Sequence, residues 1–269
     1  MHLYTATMVT LANYTRYPLK LAASAALCCV AFSVLPVCAQ PLALSYKLTG
    51  DVGVAGYSAQ SAVRSRATQQ TLLPYLFADY GPFFARVDTL GFKVLPVGSG
   101  YLELIGRVSQ EGWRANTGAL LGLKDRKTPM PFGVGTFQQT SYGAFIFNAF
   151  VDAGPSRGSL IEATYFAEVK LGSLSLYPQL GLESRSAKYA DYLYGVTAAE
   201  SLASGYAQYK AGTSTIPVLG LAGDYLLTED WVVNLQLRRK WLGPAISNSP
   251  LVVGKTQDMG YIGLSYRFK

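Results

Sequence analysis

Histidine and cysteine, the side chains that most often carry nucleophilic, acid–base and zinc chemistry, occur only within the first 39 positions of this chain. His2 is the single histidine, and Cys28, Cys29 and Cys38 are the three cysteines. Beyond Ala39 no Ser-His-Asp triad, cysteine nucleophile or ordinary zinc site can be assembled. No disulfide can form there either. Paired carboxylates remain, of the kind glycosidases use, and the candidates are Glu162 and Glu168 with Asp88. The simpler reading is that these carboxylates face Arg86, Arg107, Lys170, Arg238 and Arg267 across a polar interior, together with Glu103. No catalytic residue, metal or cofactor is assigned, and the chain is not expected to be an enzyme. Gly98/Gly100 and Gly133/Gly135 lack the spacing and following helix of a dinucleotide loop.

The elements that would position these charges are strands. Leu102, Leu104 and Val108 alternate with Glu103 and Arg107. Ile161, Ala163, Tyr165, Ala167 and Val169 alternate with Glu162, Thr164, Glu168 and Lys170. Leu174, Leu176, Leu180 and Leu182 oppose Ser175, Gln179 and Glu183. Period-2 alternation gives each strand one apolar and one polar face. It does not say whether the apolar face points inward, as in a β-sandwich, or outward, as in a membrane barrel.

Two segments favour the barrel. Trp231, Val233, Leu235, Leu237 and Trp241 share a face against Asn234, Gln236, Arg238 and Lys240. Ten residues separate the two tryptophans, roughly 33 Å of extended chain. Tilted by about 40°, that becomes roughly 25 Å, the height of the apolar band between two aromatic girdles. Arg239 interrupts the outward face near one end, where it can reach the interface. The chain closes on Tyr261–Lys269, with Ile262, Leu264, Tyr266 and Phe268 on one face and Arg267 on the other. Trp231, Tyr266 and Phe268 are therefore expected in one girdle and Trp241 in the opposite one. The last strand is expected to pair with the first and leave no open edge.

The N-terminus supports export. Arg16 and Lys20 precede an apolar core, Leu21 to Val34, and small residues lead to Ala39. Residues 1–39 read as a signal peptide cut after Ala39. A lipoprotein cut before Cys38 and a start at Met8 are alternatives. Residues 40–269 then carry 21 basic and 16 acidic side chains, or +5. That modest charge, with no basic stripe, argues against nucleic-acid binding. Half of the whole chain is hydrophobic, yet no smooth apolar run of helical length follows the signal.

About twelve strands are expected, with ten to fourteen as the range. They fall near residues 44–57, 72–80, 83–94, 100–110, 118–124, 133–139, 142–152, 158–170, 173–184, 214–226, 231–241 and 257–268. An even count puts both termini in the periplasm. Gly81-Pro82, Gly172 and Thr228-Glu229-Asp230 become periplasmic turns, and Ser58–Thr71, Arg185–Thr213 and Leu242–Thr256 become extracellular loops. Pro178 and Pro217 each remove a ladder donor and should bend or bulge their strands. Tyr189, Tyr192, Tyr194, Tyr206 and Tyr209 form a candidate contact loop, or equally a rim capping the barrel. Lys124-Asp125-Arg126-Lys127 reads as solvated loop, with lipopolysaccharide contact as the second reading.

From Leu72 onward the chain resembles the MltA-interacting protein family, also called the MipA/OmpV family. The matching segments are LLPYLFADYGPFFARVDTLGFKVLP (Leu72–Pro96), YLELIGRVSQEGW (Tyr101–Trp113) and GLKDRKTPMPFGVGTFQQTSYGAFIFNAFVD (Gly122–Asp152). Further matches are DYLYGVTAAES, YAQYKAG, SNSPLV and the closing LSYRF. Lys269 departs from the pattern, since members usually stop at the aromatic residue. The resemblance implies an outer-membrane protein in contact with lipid and lipopolysaccharide. It also implies a scaffold linking a lytic transglycosylase to a penicillin-binding protein. Other members are described as antigens or adhesins. A small-solute channel is the alternative that the charged interior suggests.

Overall fold

The computed structural model describes residues 44–64, 68–116 and 118–268. The expected signal segment and Lys269 lie outside these residues. Twelve antiparallel strands form one closed wall. In chain order they begin with β1 (Thr49–Ala59), β2 (Gln69–Tyr80), β3 (Phe83–Arg86) and β4 (Thr89–Val97). There follow β5 (Gly100–Arg107), β6 (Pro131–Thr140), β7 (Gly143–Asp152) and β8 (Ser159–Phe166). A short β9 (Val169–Leu171) continues β8 along the same neighbour, β10 (Leu174–Arg185). The wall is completed by β11 (Ser214–Leu226), β12 (Trp231–Trp241) and β13 (Thr256–Phe268).

Each strand pairs with the next, and β13 returns to β1 in register from Gly50↔Phe268 to Ala59↔Met259. That pairing is the expected closure. It leaves no strand at a free end of the sheet, as a wall in lipid requires. Chain entry and exit therefore share one rim, here called the terminal rim. The opposite rim carries the loops.

The facing of the side chains decides between sandwich and barrel. Val54, Leu104, Phe132, Phe147, Leu182, Leu237 and Ile262 are all exposed on the outer surface. Asp51, Glu103, Asn148, Glu183, Asn234 and Arg267 are buried within. This inside-out distribution suits hydrocarbon outside and water inside. Among the described residues no helix is long and apolar enough to cross a membrane.

The strand count agrees with expectation, but two of the expected strands differ and offset each other. Residues 83–94 are not one strand. Val87, at φ +58°, and Asp88 turn the chain between β3 and β4. Positive φ at a β-branched residue leaves no sequence signature. Residues 118–124 are not a strand either. Gly118–Leu120 forms a single 3₁₀ turn inside the long β5–β6 loop, with Leu120 and Leu123 buried. Residues 111–116 lie in this same loop at the loop rim. Pro217 sits in an unshifted ladder opposite Leu182. Pro178 also leaves its register intact, and the wall breaks instead on its partner, between Phe166 and Val169. The described bulge lies at Lys93–Leu95, where Val94 and Leu95 both face outward.

A charge on the outer face should be costly. Leu182→Arg is expected to destabilise the barrel by about 2–4 kcal/mol, read as a lower urea midpoint in lipid vesicles. Ser175→Arg, on the cavity side, should shift it far less.

Candidate functional site: a charged lumen beneath a folded lid

The barrel encloses a cavity of about 720 Å³. Its lining runs from Thr49, Asp51 and Arg267 near the terminal rim to Arg185, Tyr189 and Tyr194 near the loop rim. The period-2 rule delivers the charges to it, because every second residue of each strand points inward. Arg86, Asp88, Glu103, Arg107, Glu162, Glu168, Lys170, Arg238 and Arg267 all line it.

Their partners differ from the pairs that share a strand face. Arg86 does not join Asp88; it pairs with Asp79 at 3.0 Å, and Lys93 joins the same carboxylate at 2.7 Å. Arg107 does not join Glu103; it reaches from β5 to Glu162 on β8 at 2.6 Å, with Asp88 at 3.8 Å. Arg267 grips its ladder partner Asp51 through two hydrogen bonds of 2.7 and 2.9 Å. Lys170 lies 3.5 Å from Glu168. Near the loop rim Glu183 accepts from Arg185 at 2.6 Å and from Lys240 at 2.7 Å. Arg185 also binds Glu111 at a near-minimal separation. Arg185 and Glu183 are fully buried, while Glu111 at the lid end of the network is part-exposed. Asp51, Asp79, Glu111 and Arg185 join these pairs although they are not among the expected lumen charges. Glu183 and Arg185, two residues apart on one strand face, were the available signal for the last.

On the outside, Trp231 and Tyr266 are ladder partners whose rings meet edge to face at 5.6 Å near the terminal rim. Phe268 is half-buried opposite Gly50. Trp241 is exposed near the loop rim. Arg239, also outward, is held by Asp258 on the neighbouring strand at 2.7 and 2.8 Å.

The loops fold into a lid with its own apolar core. Trp113, Leu120, Leu123, Tyr189, Leu193, Tyr194, Val196, Ile246, Leu251 and Val252 are buried together. Helix α1 (Ala187–Tyr194) is capped by Ser186, whose hydroxyl accepts from the Tyr189 amide. Helix α2 (Ala198–Ser204) starts with a capping box, Thr197 to Glu200, and ends at Gly205 in the left-handed conformation. A third short helix, α3 (Pro244–Ser247), packs beside them. The Thr-Ala-Ala-Glu signal of α2 is visible in the sequence, inside the segment 185–213 expected as a long loop. Gly122, at φ +86°, lies so close to α2 that a Cβ there would stand 2.5 Å from the Ala203 carbonyl oxygen.

All five candidate tyrosines belong to this lid. Tyr189 donates to Glu111, Tyr192 to the Lys127 carbonyl, Tyr206 to the Ala119 carbonyl and Tyr209 to the Ala245 carbonyl. The Tyr194 hydroxyl accepts from Arg185 at 3.3 Å. Their hydroxyls are engaged internally, and Tyr189 and Tyr194 are buried. Burial and the adjacent Glu111 carboxylate push the Tyr189 phenol well above its usual range, so it donates rather than ionises.

The basic cluster also separates. Lys124 and Lys127 are exposed, but Arg126 is buried over the Trp113 ring and 2.9 Å from Glu200. It is a structural cation rather than solvated loop. Burial alone would raise the Glu200 carboxyl. The Thr197 and Lys124 amides, the Thr197 hydroxyl and Arg126 outweigh that and hold it at about 2.

The profile of the family described as MltA-interacting protein MipA matches residues 52–268. The chain belongs to that family. A putative outer membrane protein, YiaT of Escherichia coli, is 25% identical over 81% of this chain and 90% of its own length. The MltA-interacting protein of Escherichia coli is 29% identical over 54% of this chain and 59% of its own. Outer membrane protein Omp26La of Vibrio anguillarum is 28% identical over 42% of this chain and 44% of its own. This MipA-family chain is an outer-membrane β-barrel, with an apolar outer wall, a charged lumen and one end covered by its own loops.

Two outcomes follow for the lid and its junction with the lumen. Arg185→Met should cost roughly 3–5 kcal/mol, because it removes the buried cation that Glu183 and Glu111 share and leaves the enclosed Glu183 with Lys240 alone; the urea midpoint of the purified barrel reads it. The Glu200 carboxyl lies below its ordinary 4.5 in the folded lid. Its contribution is therefore present above about pH 4.5 and is lost as pH falls toward 2. With Trp231→Phe and Trp241→Phe leaving Trp113 as reporter, emission should shift to the red across that range. Glu200→Gln should flatten this part of the profile.

Proposed function

We propose that this barrel is an outer-membrane scaffold for murein-remodelling enzymes, with a lytic transglycosylase as its first partner and a penicillin-binding protein as a second. The carrying observation is the match of residues 52–268 to a family described by an interaction. One relative bears the name MltA-interacting protein. The capped architecture suits the role, because a barrel whose loops bury one another at one rim has its other rim free for contact. In this reading the exported form begins at Gln40 and both termini lie in the periplasm. The turns at Gly81-Pro82, Gly98-Ser99, Ser141-Tyr142, Gly172-Ser173 and Leu227–Asp230 then face the murein layer. The aromatic pair Trp231 and Tyr266 marks the periplasmic membrane boundary, Trp241 the outer one, and the lid meets lipopolysaccharide.

Full-length protein in mild detergent should retain a lytic transglycosylase in a pull-down, and add a penicillin-binding protein when both are supplied. Enrichment no greater than that on an unrelated barrel would sink the proposal. A second reading, passage or binding of a small solute, is favoured by the cavity alone.

A further inference from the structure

We propose that the wall carries a lateral portal through which a single-chain anionic amphiphile passes between the surrounding lipid and the lumen. The proposal goes beyond scaffolding and stands on the register of β2. That strand has twelve residues, but only Phe77 to Tyr80 pair with β3. β3 is four residues long and turns back at Val87. The Val87 amide donates to the Leu76 carbonyl, and above that point residues 69–75 of β2 have no ladder partner on this edge among the described residues. Seven residues of bare edge amount to roughly 23 Å of strand.

The gap is framed on all sides. Its lower sill is the Val87-Asp88 turn. Its far side is Val108, whose amide donates to the Asp88 carbonyl. Its top is bridged where the Gln69 and Gln110 side chains meet at 3.5 Å. Pro74, Val87 and Val108 are exposed on the outer surface and also line the internal cavity. Pro74 and Val108 stand on the outward phase of their strands, so their contact with the cavity marks an opening in the wall beside them. Leu72, 77% exposed, stands beside the gap on the lipid side.

Unpaired backbone is costly in hydrocarbon and is tolerated where it borders a water-filled cavity. The residues here lower that cost further. Successive residues of a strand aim their amides at opposite edges, so Pro74 is in phase with Leu76 and removes a donor from the open edge. Apolar side chains on the frame suit an alkyl chain rather than a sugar or an ion.

The lumen supplies a receptor for an anionic head. The other basic residues lining the cavity each sit in an ion pair with a carboxylate. Arg238 makes no ion pair, and its buried Nε has no hydrogen-bond partner among the described residues. Arg238, Met259, Ala59 and Gln69 follow one another across the ladders on a single rung. Three strand spacings, about 14 Å, therefore separate Arg238 from the upper edge of the portal, which is within reach of a twelve-carbon chain.

The test uses the full-length barrel in discs of neutral phospholipid with a dansyl-tagged undecanoate as probe. Saturable binding is expected, displaced by dodecanoate. Arg238→Gln should weaken dodecanoate at least tenfold and leave dodecanol unchanged. Leu73→Trp and Val108→Trp should each slow association at least fivefold, whereas Leu180→Trp on the outer face of β10 should not. Heat-modifiable gel migration confirms folding of each variant. Absence of saturable binding overturns the proposal. Unchanged association in both portal variants overturns it too, since the probe would then enter through a mouth of the barrel. Equal loss of dodecanoate and dodecanol on Arg238→Gln removes the anionic specificity. A scaffold that binds its enzyme but no amphiphile would fail this test alone, so the two readings fall separately.

Discussion

Pairing of β13 with β1 is the constraint on which the rest of this molecule depends. Hydrocarbon offers no partner to a backbone amide, so a sheet that crosses it must close. Closure fixes which face is outside. It sends Val54, Leu182 and Ile262 to the lipid and Asp51, Glu183 and Arg267 to the lumen. The seam itself is pinned from inside by the two hydrogen bonds between Arg267 and Asp51, which are ladder partners across the closing pair. On the outside the Trp231 and Tyr266 rings meet over the neighbouring pair of strands.

Closure also creates a problem at each mouth. The loop rim meets it with a second, water-soluble kind of order, in which helices are capped by Ser186 and Thr197 and a buried core gathers around Trp113 and Leu193. The two kinds of core meet at Arg185, which binds Glu183 in the lumen and Glu111 and Tyr194 at the lid. A charge so enclosed holds its place only while every partner is present. The lumen and lid are therefore coupled through one guanidinium. One rim of this MipA-family barrel is thereby closed by a folded cap, while the opposite rim carries only short turns.

Much of the barrel was legible because a strand in a membrane wall writes its burial pattern directly into alternate residues. The closing strand, the Trp231 to Trp241 span and the inward charges all follow from that period. The strand boundaries near Val87 and Leu120 did not. The turn at Val87 needs a positive φ that valine does not advertise, and Gly118–Leu123 is an apolar run too short to reveal whether it lines a sheet or a lid. The two differences offset each other, so the count of twelve agreed while its components did not. The tyrosines of 189–209 suit a contact surface and a capping rim equally in the sequence, and in the fold their hydroxyls close hydrogen bonds inside the lid.

The sequence by itself determined the class of this protein. Its alternation, its aromatic spacing and its lack of histidine and cysteine beyond Ala39 are local or compositional properties. They need no knowledge of what touches what. The tertiary structure alone decided the partners: Arg86 with Asp79, Arg107 with Glu162 across the lumen, Arg126 with Glu200 in the lid. It alone left β2 half unpaired beside a four-residue β3. Such pairings depend on the stagger that accumulates around a closed ring of strands. Alternation tells a residue which face it occupies, but only closure tells it how high it stands and whom it meets.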